Sequence, residues 1–193
     1  MFISPMSVGV PASSDLLYPL TRFCEDGGHP LPACEVIDGA AMPQPYRDLL
    51  VHKGDMTSRL ESFHGGPIII EVLHHEHCPD GYRREVVLHV EETALAVEYG
   101  AIEIDVDAFD GELRRLILEE HLPFGGLLNR FGIRYRSEPK AFIRLAADAV
   151  MPRVFGTPEA REFFGRCNVL LGEGDRVLAR IVEVLRPADE VSS

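Results

Sequence analysis

The chain has 193 residues, 46% of them hydrophobic, and a formal net charge of −12. That length and apolar content fit one domain with a core of its own. No Lys/Arg run offsets the negative charge, so contact with nucleic acid or an anionic membrane surface is not expected, and an anionic metabolite would need individually placed arginines.

Residues 1–45 are rich in Pro, Gly, Ser and Ala and lack a sustained period, which predicts an extended or partly disordered arm, or one that wraps the domain or a neighbour. Residues 46–193 form the predicted domain. Tyr46–Val51 reads as a short helix, and Asp55 stands where it can cap a second one over Met56–Glu61. Gly65-Gly66-Pro67 breaks the chain before a strand from Ile68. That strand runs into His74-His75-Glu76-His77-Cys78, where adjacent ligands in one extended run cannot all reach one ion, so no metal is expected; a solvated strand end with a turn at residues 79–81 is the expectation. Strands over 83–91 and 94–104 are joined by a short polar link and should pair antiparallel.

Asp110 is placed to cap a helix that runs to Glu120, with Leu113, Leu116 and Ile117 at helical spacing. The glycines of Pro123-Phe124-Gly125-Gly126 let the backbone approach a ligand or hinge a flap, or simply turn between helices. A short helix over 127–131, a strand over 141–146 and a helix from Thr157 with Pro158 at its first position follow. Cys167–Leu171 and Val177–Leu185 flank Gly172-Glu173-Gly174-Asp175, a hairpin turn, and Pro187 stops the last ladder. Hairpin strands with clustered helices predict an α+β fold with a mostly antiparallel sheet.

Two of these strands carry an oddity. Side chains alternate faces along a strand, so Val177, Ala179, Ile181, Glu183 and Leu185 share a side that is apolar except for Glu183. In 83–91, Arg84 shares a side with Val86, Leu88 and Val90, while Arg83, Glu85, His89 and Glu91 suit solvent. A lone charge on such a face costs several kcal/mol unless paired, by the usual price of burial. Either Glu183 and Arg84 form a buried structural pair, or they line a cavity for a small anion, with Arg84 on a carboxylate. Tyr99 is either core or the polar tip of that cavity.

These residues resemble the chorismate pyruvate-lyase family over about residues 46–187. Asp55-Met56-Thr57-Ser58-Arg59-Leu60-Glu61 is similar to its S-M-T-x-R-x-E segment, and Arg84-Glu85-Val86-Val87-Leu88 to its R-E-I-L-L strand. Pro123-Phe124-Gly125 resembles its P-L-G flap, and Glu183-Val184-Leu185-Arg186-Pro187 its E-L-F-L-P strand. The resemblance implies an antiparallel sheet with helical flaps over an internal cavity and no cofactor. It also implies a lyase that removes pyruvate from chorismate, or a related enolpyruvyl acid, to leave 4-hydroxybenzoate or a similar aromatic acid. Arg84 and Glu183 would be catalytic, with Met56, Thr57, Arg59, Tyr99, Phe124 and Gly125 around the substrate. Tyr99 stands where the family has a second arginine, so Arg59, Arg130, Arg134 and Lys140 become candidates for the second cation. The alternative is a non-catalytic sensor for a small aromatic acid on the same fold.

Cys24, Cys34, Cys78 and Cys167 are scattered without a CxxC, so reduced thiols in a cytoplasmic protein are expected. The first residues have neither the basic flank nor the apolar run of a signal peptide, and no charge-free stretch reaches membrane-spanning length.

Overall fold

A computed structural model describes residues 10–11, 14–79 and 81–188 of the chain. Eight strands form one sheet in which every pairing is antiparallel. They are β1 (Val10–Pro11), β2 (Cys34–Ile37), β3 (Ile68–Cys78), β4 (Gly81–Val90), β5 (Ala96–Ile104), β6 (Arg136–Ala146), β7 (Glu162–Leu171) and β8 (Val177–Leu185). The order across the sheet is β1-β2-β6-β7-β8-β5-β4-β3, which puts β8 in the interior between β7 and β5. The fold is α+β with an antiparallel sheet, as the order of strands and helices in the sequence predicts, and helices cover a cavity as the resemblance implies.

Among the described residues six α-helices cover the sheet: α1 (Leu20–Asp26), α2 (Tyr46–Leu50), α3 (Met56–His64), α4 (Gly111–Glu119), α5 (Phe124–Arg130) and α6 (Met151–Phe155). Asp55 caps α3 as its position predicts, its Oδ1 accepting from the Ser58 N–H at 2.8 Å. Asp110 sits at the start of α4 but makes no side-chain cap.

On one face, α1 and α6 bury Leu20, Phe23, Met151 and Phe155 against Tyr99, Ala101, Ile143, Val182 and Val184. The other face carries two separate apolar clusters. One packs α2 and α3 on Leu88, Phe164 and Leu185; the other packs α4 and α5 on Ile102, Ile104, Leu170 and Ala179.

Several expectations are corrected. The predicted arm is built into the domain from Ser14 onward: α1 packs on the sheet, and β2 pairs with β6, Val36 opposite Ile143. Residues 1–9 of that arm, and Asp80 of the expected turn, lie outside the described residues. The side of β4 expected to face solvent is covered, and Arg83 and Glu85 are buried. No helix starts at Thr157. The helix here is α6, closed at Gly156 in the left-handed region (φ 64°), and residues 162–171 are β7.

Candidate functional site

The two apolar clusters part between the first turns of α3 and α5, and a cavity opens there over β4, β5, β8 and β7. Sheet register builds its floor in three rows. Arg84, Ile102, Ile181 and Asn168 are partners across four strands; the next row is Val86, Gly100, Glu183 and Arg166; the third is Leu88, Glu98, Leu185 and Phe164. Residues in these rows share one face. Gly100 leaves the middle row open, and a Cβ there would lie 2.1 Å from the Val182 carbonyl oxygen. The space measures about 60 Å³ to the centre of a water-sized sphere, several times what one water needs on that measure. Its walls are Met56, Ile70, Phe124 and Leu170.

Arg84 is 1% exposed. Its Nη2 donates weakly to the Leu122 carbonyl at 3.4 Å, and Nε and Nη1 have no partner among the described residues. Burial lowers its pKa to about 10, so it is a cation at neutral pH. Arg166, 0% exposed, is held on more sides. Its Nε donates to Glu183 Oε2, and its Nη1 to the carbonyls of His52 (3.1 Å) and Leu50 (3.3 Å), which ties the sheet to the segment between α2 and α3. His52 accepts from the Gly54 N–H at Nδ1, so its proton sits on Nε2 and goes to the Leu49 carbonyl. Burial first, then the Arg166 charge, lower the His52 pKa to about 4 and keep the ring neutral.

Glu98 lines the cavity at 5% exposure, and its Oε2 has no hydrogen-bond partner among the described residues. Burial first and the Glu183 charge second raise its pKa well above the carboxylate range, with Arg166 opposing. Asn168 donates from Nδ2 to Ser137 Oγ at 3.0 Å. At the mouth, Asp55 Oδ2 accepts from Asn129 Nδ2 at 3.1 Å and so links α3 to α5.

Six of the residues singled out in the sequence come together here: Arg84, Glu183, Met56, Thr57, Phe124 and Gly125 all line the cavity. Two do not. Arg59 is exposed on α3, and Tyr99 belongs to the opposite face, where its hydroxyl donates to Glu85 Oε1 at 2.5 Å. Arg130, Arg134 and Lys140 are exposed as well. The buried Glu–Arg pair exists, but Glu183 has Arg166 as its partner and Arg84 is left over. Sequence reasoning missed Arg166, Glu98 and Asn168. For Arg166 the signal was the alternation Phe164, Arg166, Asn168, Leu170, hidden because a helix is expected from Thr157 and the strand only from Cys167. Among the described residues no three His, Cys, Asp or Glu side chains group so as to hold a metal, and no helix is long and apolar enough to cross a membrane.

No family model matches the sequence, and no curated protein matches it. Solved structures do. The effector domain of PhnF from Mycobacterium smegmatis is similar over 69% of this chain and 88% of that one, with a TM-score of 0.52 and 12% identity. The structure of PhnF from the same organism is similar over 94% of this chain and 89% of that one, at a TM-score of 0.54 and 13% identity. The ligand-binding domain of a GntR-family transcriptional regulator from Bordetella bronchiseptica covers 62% of this chain and 85% of its own, at 0.48 and 16%. Identities this low show a shared fold. The expectation that this fold implies an enzyme is corrected, since a structure sharing it is by name an effector domain and not a lyase. Glu183 is held by the Arg166 guanidinium.

Proposed function

We propose that this domain binds a small aromatic carboxylic acid in the cavity between α3 and α5 and acts as a sensor, without turning it over. The observation that carries the reading is Arg84: a buried cation with two unpartnered nitrogens, aimed into a space with apolar walls. An uncompensated buried charge costs several kcal/mol, by the estimate for a pair that has lost one member. A carboxylate arriving there gains charge-assisted hydrogen bonds from a planar fork that matches its geometry. Met56, Ile102 and Phe124 supply the apolar surface that a ring needs. The regulator domains that share the fold support a ligand-responsive role, and the net charge of −12 argues against this domain itself gripping a phosphate backbone. Asp55 and Asn129 give the response a place to start, since they tie the two helices that close over the ligand.

Titration calorimetry with benzoate and 4-hydroxybenzoate tests this. The full chain should bind at least one of them, and Arg84→Met should weaken that binding at least tenfold, about 1.4 kcal/mol. No binding, or equal binding by the variant, overturns the proposal.

A further inference from the structure

Glu98 is the buried polar group that the reading above leaves without a task. Arg84 and Glu98 stand at opposite ends of the cavity floor. Arg84 is opposite Ile102, four residues along β5 from Glu98, so the two Cα atoms are about 14 Å apart by strand geometry. Gly100 lies between them with no side chain, and Glu183 flanks it from β8. A flat molecule therefore has one track: over Gly100, with one end at each charged residue.

We propose that Glu98 contacts the ligand through an un-ionised carboxyl, donating its O–H to an oxygen at the end remote from Arg84. The cavity then selects acids with one negative charge and a neutral oxygen acceptor at the far end. This rests on the ligand-pocket reading and narrows its ligand class.

Counting charge supports it. Among the fully buried groups, Arg84 and Arg166 contribute two positive charges and Glu183 one negative, while Asp55 sits half-buried at the mouth; with Glu98 neutral the buried set has a surplus of one, which one carboxylate cancels. The groups facing Glu98 are Glu183 on β8, Arg166 on β7 with His52 behind it, Arg84 on β4 and Asp55 at the mouth. Arg166 is engaged at Nε and Nη1 by Glu183 and two backbone carbonyls, and its Nη2 does not reach Glu98. A second ionised carboxylate beside Glu183, without its own partner, would be repelled. The raised pKa of Glu98 agrees. Its unpartnered Oε2 is the atom placed to act.

The test uses benzoate, 4-carbamoylbenzoate and terephthalate, the last two being near-isosteres that differ by a charge. The full chain should bind 4-carbamoylbenzoate at least tenfold tighter than terephthalate and at least fivefold tighter than benzoate. In Glu98→Leu the preference over benzoate should fall to about one, whereas a merely structural role would weaken both acids alike. Independently, the infrared spectrum of the wild type at neutral pH should show a protonated carboxyl stretch that Glu98→Gln removes. Terephthalate binding as tightly as 4-carbamoylbenzoate, an unchanged preference in Glu98→Leu, or a missing carboxyl band each overturns this inference alone. Failure of all three acids to bind while 4-hydroxybenzoate binds overturns this inference alone, and failure of all four overturns the pocket reading with it.

Discussion

The clusters around Glu85 and Arg84, on opposite faces of the sheet, bury their ionisable groups in different ways. Beneath α1 and α6, Glu85 is 4% exposed and its partners are complete: Tyr99 donates to one carboxylate oxygen, and His74 Nδ1 lies 2.7 Å from the other. Beneath α3 and α5, Arg84, Glu98 and Arg166 all keep buried nitrogens or oxygens with no partner among the described residues. A folded chain rarely leaves such groups unsatisfied, because each costs about 1–3 kcal/mol, more for a charged one. The first cluster is finished without a ligand. In the proposed reading, the second is completed by one.

Breaking the comparison should show this difference, and the largest effect is expected at Arg166. Arg166→Met strands Glu183 as a buried, unpaired carboxylate, which costs about 3–5 kcal/mol, read as a lower midpoint in urea. Tyr99→Phe on the finished face removes one hydrogen bond to a charged acceptor and should cost about 1.5–3 kcal/mol. Ligand affinity is the sharper readout for that variant: with its fold intact it should bind 4-hydroxybenzoate within about twofold of wild type, because Tyr99 faces away from the cavity. A larger loss would place Tyr99 in the site after all.

Much of the site was legible because a charge on an apolar strand face is a local signal. Arg84 and Glu183 were visible in that way, and the family resemblance added Met56, Thr57, Phe124 and Gly125. Glu98 carries a similar signature, flanked on its face by Val97, Gly100 and Ile102. It escaped because the opposite face of β5, with Ala96, Tyr99 and Ala101, is also apolar, and a strand buried on both sides has no contrast to read. Arg166 was lost to a local ambiguity: Thr157-Pro158 looks like a helix start, yet the preceding helix had already closed at Gly156. The covering of Glu85 was illegible for a different reason. Its lid, α1, is a single short helix between Pro19 and Gly27, in a stretch whose composition suggests a loose arm. Only contact with the sheet makes it a helix.

The central claim is that Arg84 is kept unpaired for a ligand, at a cost in stability. Thermal unfolding of wild type and Arg84→Met, each with and without saturating 4-hydroxybenzoate, tests it most directly. The ligand should raise the wild-type midpoint. The variant alone should melt higher than ligand-free wild type, by about 2–4 °C for each kcal/mol recovered, and should not respond to the acid. A variant that melts lower and still shifts with 4-hydroxybenzoate would contradict the account.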